Sequence, residues 1–178
     1  MDSDNSFKNG HSKRTANYAL LLLDCIKNDI RLDSNFGKTL EITALLHDIG
    51  MVYLPKEILS KKRRLSKKEW EKIKEHPLLG ASIFENFKEL REIALGIRFH
   101  HERFDGKGYP DKISKDNIPL SSRILAVCDA FDALTSNRLY RKKLGKYNAF
   151  EKIKKCSGTQ FDPHVVLYLR KTLPRIDL

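Results

Sequence analysis

Apolar positions recur at helical spacing along most of the chain. Ala19, Leu22, Leu23, Ile26 and Ile30 line one face of a helix over residues 18–30. Leu40, Ile42, Ala44 and Leu45 mark a second helix, with Gly50 as its stop signal. Ser66 and Glu69 have capping-box spacing, and Leu65 with Trp70 supplies the accompanying staple, so a helix is expected from about Lys67. Pro77 divides it from a segment over 78–87. Leu90, Ile93, Ala94 and Ile97 carry a further helix into His100. Residues 102–119 break the pattern with Asp105-Gly106-Lys107-Gly108, Pro110 and Pro119, the chemistry of a long ordered loop, and such loops are usually functional. Ser121 or Ser122 is expected to cap the next helix, which carries Ile124, Leu125, Cys128, Phe131 and Leu134. Two more helices fit 147–155 and 163–171. No segment alternates as a strand should, and no internal repeat is visible. The pattern predicts an all-α fold, a helical bundle.

Composition narrows the class without changing that picture. The 178 residues suit one domain, and a chain of this length buries enough surface to need no covalent staples. Residues 1–10 form a polar segment without a signal-peptide core, which leaves 11–178 as the domain. No apolar run approaches the ~20 residues of a membrane span. Cys25, Cys128 and Cys156 are odd in number and far apart, which argues against a disulfide framework and for small buried side chains in a reduced cytoplasm. The net charge of +11 fits an anionic ligand. It also fits a lysine-rich solvated surface, and the basic run at 61–68 favours the latter, because no aromatic residue interleaves as a nucleic-acid face would need.

The candidate chemistry lies in histidine and aspartate. His47-Asp48 closes one apolar helix, and His100-His101 closes another just before the glycine-rich loop. Adjacent helical residues point about 100° apart, so two neighbouring histidines suit either two adjacent metals or two corners of one coordination shell. An aspartate has two oxygens and can bridge a metal pair. Asp129 follows the apolar run 124–128, where a carboxylate is costly unless paired or metal-bound. Asp132, three residues on and near the same face, reads as a cap-like or ion-pairing residue. His164 has no such company and reads as an ordinary histidine.

Taken together these motifs resemble a known family. His47-Asp48-Ile49-Gly50 is similar to the signature of the HD superfamily of metal-dependent phosphohydrolases. The run His100-His101-Glu102-Arg103-Phe104-Asp105-Gly106-Lys107-Gly108-Tyr109-Pro110 resembles the longer signature of its HD-GYP branch. The likeness continues through Ile118-Pro119-Leu120, the helix from Arg123 to Thr135, and Gly158 to Pro163. It implies an all-helical bundle with a metal centre between helices, and hydrolysis of cyclic di-GMP or a related cyclic dinucleotide to the linear dinucleotide and/or GMP. Two divalent ions are implied, with iron or manganese favoured by a nitrogen and carboxylate set lacking thiolate. By this resemblance His11, His47, Asp48 and Asp129 hold one ion, and Asp48, His76, His100 and His101 hold the other. Asp48 is the bridge, and Asp48 with His47 forms the catalytic pair. Arg138 and Arg141 match positions that contact substrate phosphates, and a GGDEF-type cyclase is the implied protein partner.

Two positions depart from the resembled pattern. Some members hold a third metal through a glutamate four residues before the first histidine; here that position is Phe7, so two metals are expected. Many members have lysine directly after the HDIG stretch, where it contacts phosphate; here the residue is Met51. Two other functions therefore stay open: a degenerate domain that binds a cyclic dinucleotide or a protein without turnover, and hydrolysis of another nucleotide.

Overall fold

The computed structural model of the chain describes residues 10–61, 63–137 and 142–178. Nine α-helices make up its regular structure among the described residues: α1 (His11–Ile26), α2 (Phe36–Leu46), α3 (Lys56–Leu59), α4 (Lys67–Ile73), α5 (His76–Ser82), α6 (Arg91–Arg98), α7 (Leu120–Thr135), α8 (Lys146–Lys154) and α9 (Pro163–Thr172). An isolated bridge between Ser157 and Phe161 is the only β-type pairing among them. No described helix is long and apolar enough to cross a membrane.

Helix α1 is the hub, packing on α2, α7 and α9. Its apolar stripe, Ala19, Leu22, Leu23 and Ile26, meets Ile124, Val127 and Phe131 of α7 and Val165, Val166 and Leu169 of α9. The first helix starts seven residues before the periodic stretch and stops at Ile26, which leaves Ile30 exposed in the following turn. Ser66 and Glu69 form the reciprocal capping box at α4. The helices expected at 147–155 and 163–171 appear within a residue at each end.

Three local expectations are corrected. Helix α2 ends at Leu46, and Gly50 lies inside a 3-10 turn over Ile49–Tyr53 rather than stopping the helix. Glycine is needed there for close approach: a Cβ on Gly50 would collide with the His76 carbonyl and come within 2.6 Å of the Gly80 nitrogen. That packing presses the turn after α2 against α5. Neither Ser121 nor Ser122 caps α7, because the helix already begins at Leu120 after Pro119; the Ser122 hydroxyl instead donates to the Gly96 carbonyl of α6. Leu45, counted among the apolar positions, faces solvent.

A histidine and aspartate cluster at the helix ends

The cluster is assembled by helix termini. His11 is the first residue of α1, His47 caps the C-terminus of α2, His76 opens α5, and His100 and His101 follow the end of α6. Asp129 comes from the middle of α7. At three of these histidines the chain's own backbone sets the ring. Nδ1 lies 2.8 Å from the Ala44 carbonyl in His47, 2.8 Å from the Ile73 carbonyl in His76 and 2.6 Å from the Ile97 carbonyl in His100. A carbonyl only accepts, so each Nδ1 carries the proton and each Nε2 presents a lone pair inward.

Two groups result. Asp48, His76, His100 and His101 offer donor atoms within 4.8 Å of one another, and His11, His47 and Asp129 do the same. Asp48 faces both. Its Oδ1 is 3.2 Å from His76 Nε2 and 3.9 Å from His100 Nε2, while Oδ2 is 3.4 Å from His47 Nε2. Asp129 Oδ1 is 3.4 Å from His11 Nε2. His100 and His101 belong to one group, with ring centroids 4.1 Å apart. The 100° divergence expected of helical neighbours does not apply, because both lie beyond the last turn of α6. Their donor atoms converge on the same group, an arrangement that suits two corners of one shell better than ligands of separate ions.

The donors fit divalent cations. His76 Nε2 and His100 Nε2 stand 3.2 Å apart, and two inward lone pairs at that distance repel unless a cation or proton lies between them. The buried Nε2 atoms of His47 and His101 have no hydrogen-bond partner among the described residues, an expensive arrangement for polar atoms with no other role. The field points the same way. Burial opposes charge on Asp48, yet the His47 and His76 imidazoles hold its carboxyl well below the usual range. Burial also opposes protonation of His11, but hydrogen bonds to Asp129 and Asp132 outweigh it and raise His11 to about 10. His101 is pushed down to about 3 by burial and by His76, so it is neutral and ready to donate a lone pair. Burial likewise drives His100 well below its ordinary value. Asp48 thus stands as a carboxylate beside the neutral rings of His100 and His101, whereas His11 is drawn into its charged form between Asp129 and Asp132.

The cluster opens into a groove of about 1840 Å³. Met51, Trp70 and Tyr109 give it apolar surface, and Lys74, Arg103 and Lys107 give it positive charge. Met51 is 5% exposed and packs with Leu54 and Ile73. The Tyr109 ring lies against His101, centroids 4.9 Å apart, with the Lys74 ammonium 5.7 Å from the Tyr109 centroid.

The structure brings together His11, His47, Asp48, His76, His100, His101 and Asp129. Arg138, Arg141 and Phe7 lie outside the described residues. His164 is exposed, away from the cluster, at the start of α9. Two contributors escaped the sequence reading. Asp132 does pair, with Arg14, but it also binds His11; its spacing from Asp129 was the available signal. Glu102 is buried, and its Oε1 accepts the Asp111 and Lys112 amides at 2.7 and 2.8 Å, which pins the glycine-rich loop. Nothing in the sequence marks that acceptor role.

Comparison with known proteins agrees with this geometry. The HD domain family model matches residues 3–165. A probable cyclic di-GMP phosphodiesterase of Vibrio cholerae serotype O1 is 34% identical over 171 residues, 88% of this chain and 38% of that protein. A 3'3'-cGAMP-specific phosphodiesterase of the same organism is 31% identical over 173 residues, 97% of this chain and 37% of that protein. This chain therefore spans well under half the length of those relatives. An HDG"Y"P protein from Bdellovibrio bacteriovorus superposes with a TM-score of 0.71 at 19% identity, over 92% of this chain and 51% of that one, and so shares the fold. With a family match over nearly its whole length and the histidine–aspartate pair at the head of its cluster, the chain belongs to the HD-domain family.

Proposed function

We propose that this domain is a metal-dependent phosphodiesterase that hydrolyses cyclic di-GMP, or a closely related cyclic dinucleotide, using two divalent ions. The observation that carries the reading is Asp48, whose two oxygens face separate histidine groups at one wall of an open groove. The names borne by the two Vibrio cholerae relatives support the substrate class. His11, His47, Asp48 and Asp129 would hold one ion, and Asp48, His76, His100 and His101 the other. The absence of thiolate favours iron or manganese. Bound there, such ions supply Lewis acidity toward a phosphoryl oxygen and bring the pKa of coordinated water toward neutrality.

The chain's own residues do the rest. Backbone-anchored Nδ1–H groups keep the His47, His76 and His100 rings from turning. Lys74, Arg103 and Lys107 attract the diester along the groove, and by the family resemblance Arg138 and Arg141 would supply fork donors matched to phosphate oxygens. Trp70 and Tyr109 offer flat apolar faces for the bases. Purified protein loaded with Fe²⁺ or Mn²⁺ and given cyclic di-GMP, 3'3'-cGAMP and linear nucleotides, with products resolved by chromatography, tests the proposal. Turnover of a cyclic dinucleotide is expected, and activity confined to linear nucleotides overturns it.

A second reading, preference for 3'3'-cGAMP, draws on Met51: an apolar side chain lines the groove where the resembled pattern has a phosphate-contacting lysine. The same panel decides between the two substrates. Docking of a GGDEF-type cyclase on the loop at 104–111 is tested by Tyr109→Phe. Loss of co-purification with such a cyclase at unchanged hydrolysis supports docking, and retained co-purification counts against it.

A further inference from the structure

We infer that Asp132 is a positioning residue for His11, held in place by Arg14, and that it makes the His11 group a different kind of metal site from its neighbour. The inference rests on the reading of the cluster as a metal centre. His47, His76 and His100 each anchor Nδ1 on a neutral backbone carbonyl. His11 anchors Nδ1 on a carboxylate instead, at 2.7 Å from Asp132 Oδ2. Asp132 is 1% exposed, so this is a buried charge that needs its partners. Arg14, one turn along α1 from His11, supplies them with a fork: Nε donates to Oδ1 at 2.6 Å and Nη2 to Oδ2 at 3.0 Å. The Ser136 hydroxyl adds a longer contact to Oδ2 at 3.3 Å.

A carboxylate behind a histidine does two things that a carbonyl does less well. It fixes the ring with a charge-assisted hydrogen bond, and it pushes electron density toward the other nitrogen, which strengthens that nitrogen as a ligand. Here the other nitrogen is Nε2, which faces Asp129. The His11 group offers three donors of its own against four in the group of Asp48, His76, His100 and His101. A more basic imidazole offsets the smaller donor count. Arg14 keeps Asp132 ionised and oriented while balancing its charge, so His11, Asp132 and Arg14 form a relay between α1 and α7. A purely structural α1–α7 clamp would also use this pair, but it would leave metal affinity unchanged once the protein is folded.

The test is Co²⁺ titration of the metal-stripped full chain, followed by visible absorption and by metal analysis after dialysis, for wild type, Asp132→Asn and Arg14→Gln. Wild type is expected to bind two ions. Asp132→Asn should keep one at wild-type affinity and bind the other about 10–100-fold more weakly, with an altered spectrum for that ion alone. Arg14→Gln should weaken the same ion by a smaller factor. Circular dichroism identifies variants that fold. If Asp132→Asn does not fold, Arg14→Gln decides: a selective loss at one ion supports the relay, and an unchanged titration overturns it. Two ions bound to Asp132→Asn at wild-type affinity likewise overturn it. Failure of the wild-type chain to bind two ions would instead overturn the reading of the metal centre itself.

Discussion

Replacing Asp48 by alanine removes the carboxylate whose oxygens face different histidine groups, Oδ1 toward His76 and Oδ2 toward His47. Both ions lose a shared ligand, so Asp48→Ala protein is expected to carry neither after dialysis and to lose hydrolysis. Elemental analysis checks this, and two retained metals per chain with normal turnover would contradict the assignment. Met51 poses a different residue-scale question. Its side chain packs with Leu54 and Ile73 yet borders the groove. Lysine there must bury its stem and extend its ammonium toward the groove. The melting temperature of Met51→Lys should fall, because apolar packing is lost and the charge is partly desolvated. The KM for cyclic di-GMP should fall as well, about tenfold for each 1.4 kcal/mol by which the ammonium stabilises the bound phosphate. An unchanged KM across the cyclic dinucleotides would sink the phosphate-contact reading.

At the scale of elements, the loop after His101 is held by side chain and backbone together. Glu102 Oε1 accepts the Asp111 and Lys112 amides, and Gly108 passes so close to the preceding chain that a Cβ would lie 2.6 Å from the Glu102 Cα. Burial pushes the Glu102 carboxyl above its ordinary value, and those amides partly restrain the rise. Glu102→Ala leaves two amides without their acceptor, at about 1–3 kcal/mol for each that stays buried. Faster hydrogen exchange at Asp111 and Lys112 is the expected signature. Exchange unchanged at both would show that the loop is held by other contacts. The 3-10 turn at Ile49–Tyr53 is likewise held by close backbone approach, since Gly50 lets it sit directly on the backbone of α5.

For the whole molecule, the cluster joins elements that pack only in part through apolar contacts. Its donors come from the start of α1, the end of α2, the start of α5, the turn after α6 and the middle of α7. Metal bound there would cross-link five segments, so chelation should lower the melting temperature, and readdition of metal at about 100 times Kd should restore roughly 2.7 kcal/mol for each ion bound. The metal-free chain should also have its own pH dependence. His11 titrates at about 10 when folded, against an ordinary 6.5, because Asp129 and Asp132 outweigh burial. A raised folded pKa contributes stability that is fully present below 6.5 and lost as pH climbs through 10. Chelated protein should therefore melt progressively lower from pH 6.5 to 10. A flat profile over that window would show that His11 is not held as a cation in the metal-free fold.

The sequence by itself determined the local structure and the chemical inventory. Apolar spacing predicted α6, α8 and α9 closely, Ser66 and Glu69 marked the start of α4, and the residue types at 47–48, 100–101 and 129 announced a nitrogen and carboxylate donor set. These features are legible because a helix writes its period and its caps into neighbouring residues. Spacing and caps did not carry the grouping of the donors, which the sequence suggested only through its family resemblance. That His100 and His101 share one group, that Asp48 faces both, and that Asp132 stands behind His11 depend on where α6 ends and how α1 lies on α7. Gly50 reads as a helix stop until α5 is seen pressed against it. Periodicity states which face of a helix is apolar, but only tertiary packing decides which faces meet and which side chains converge.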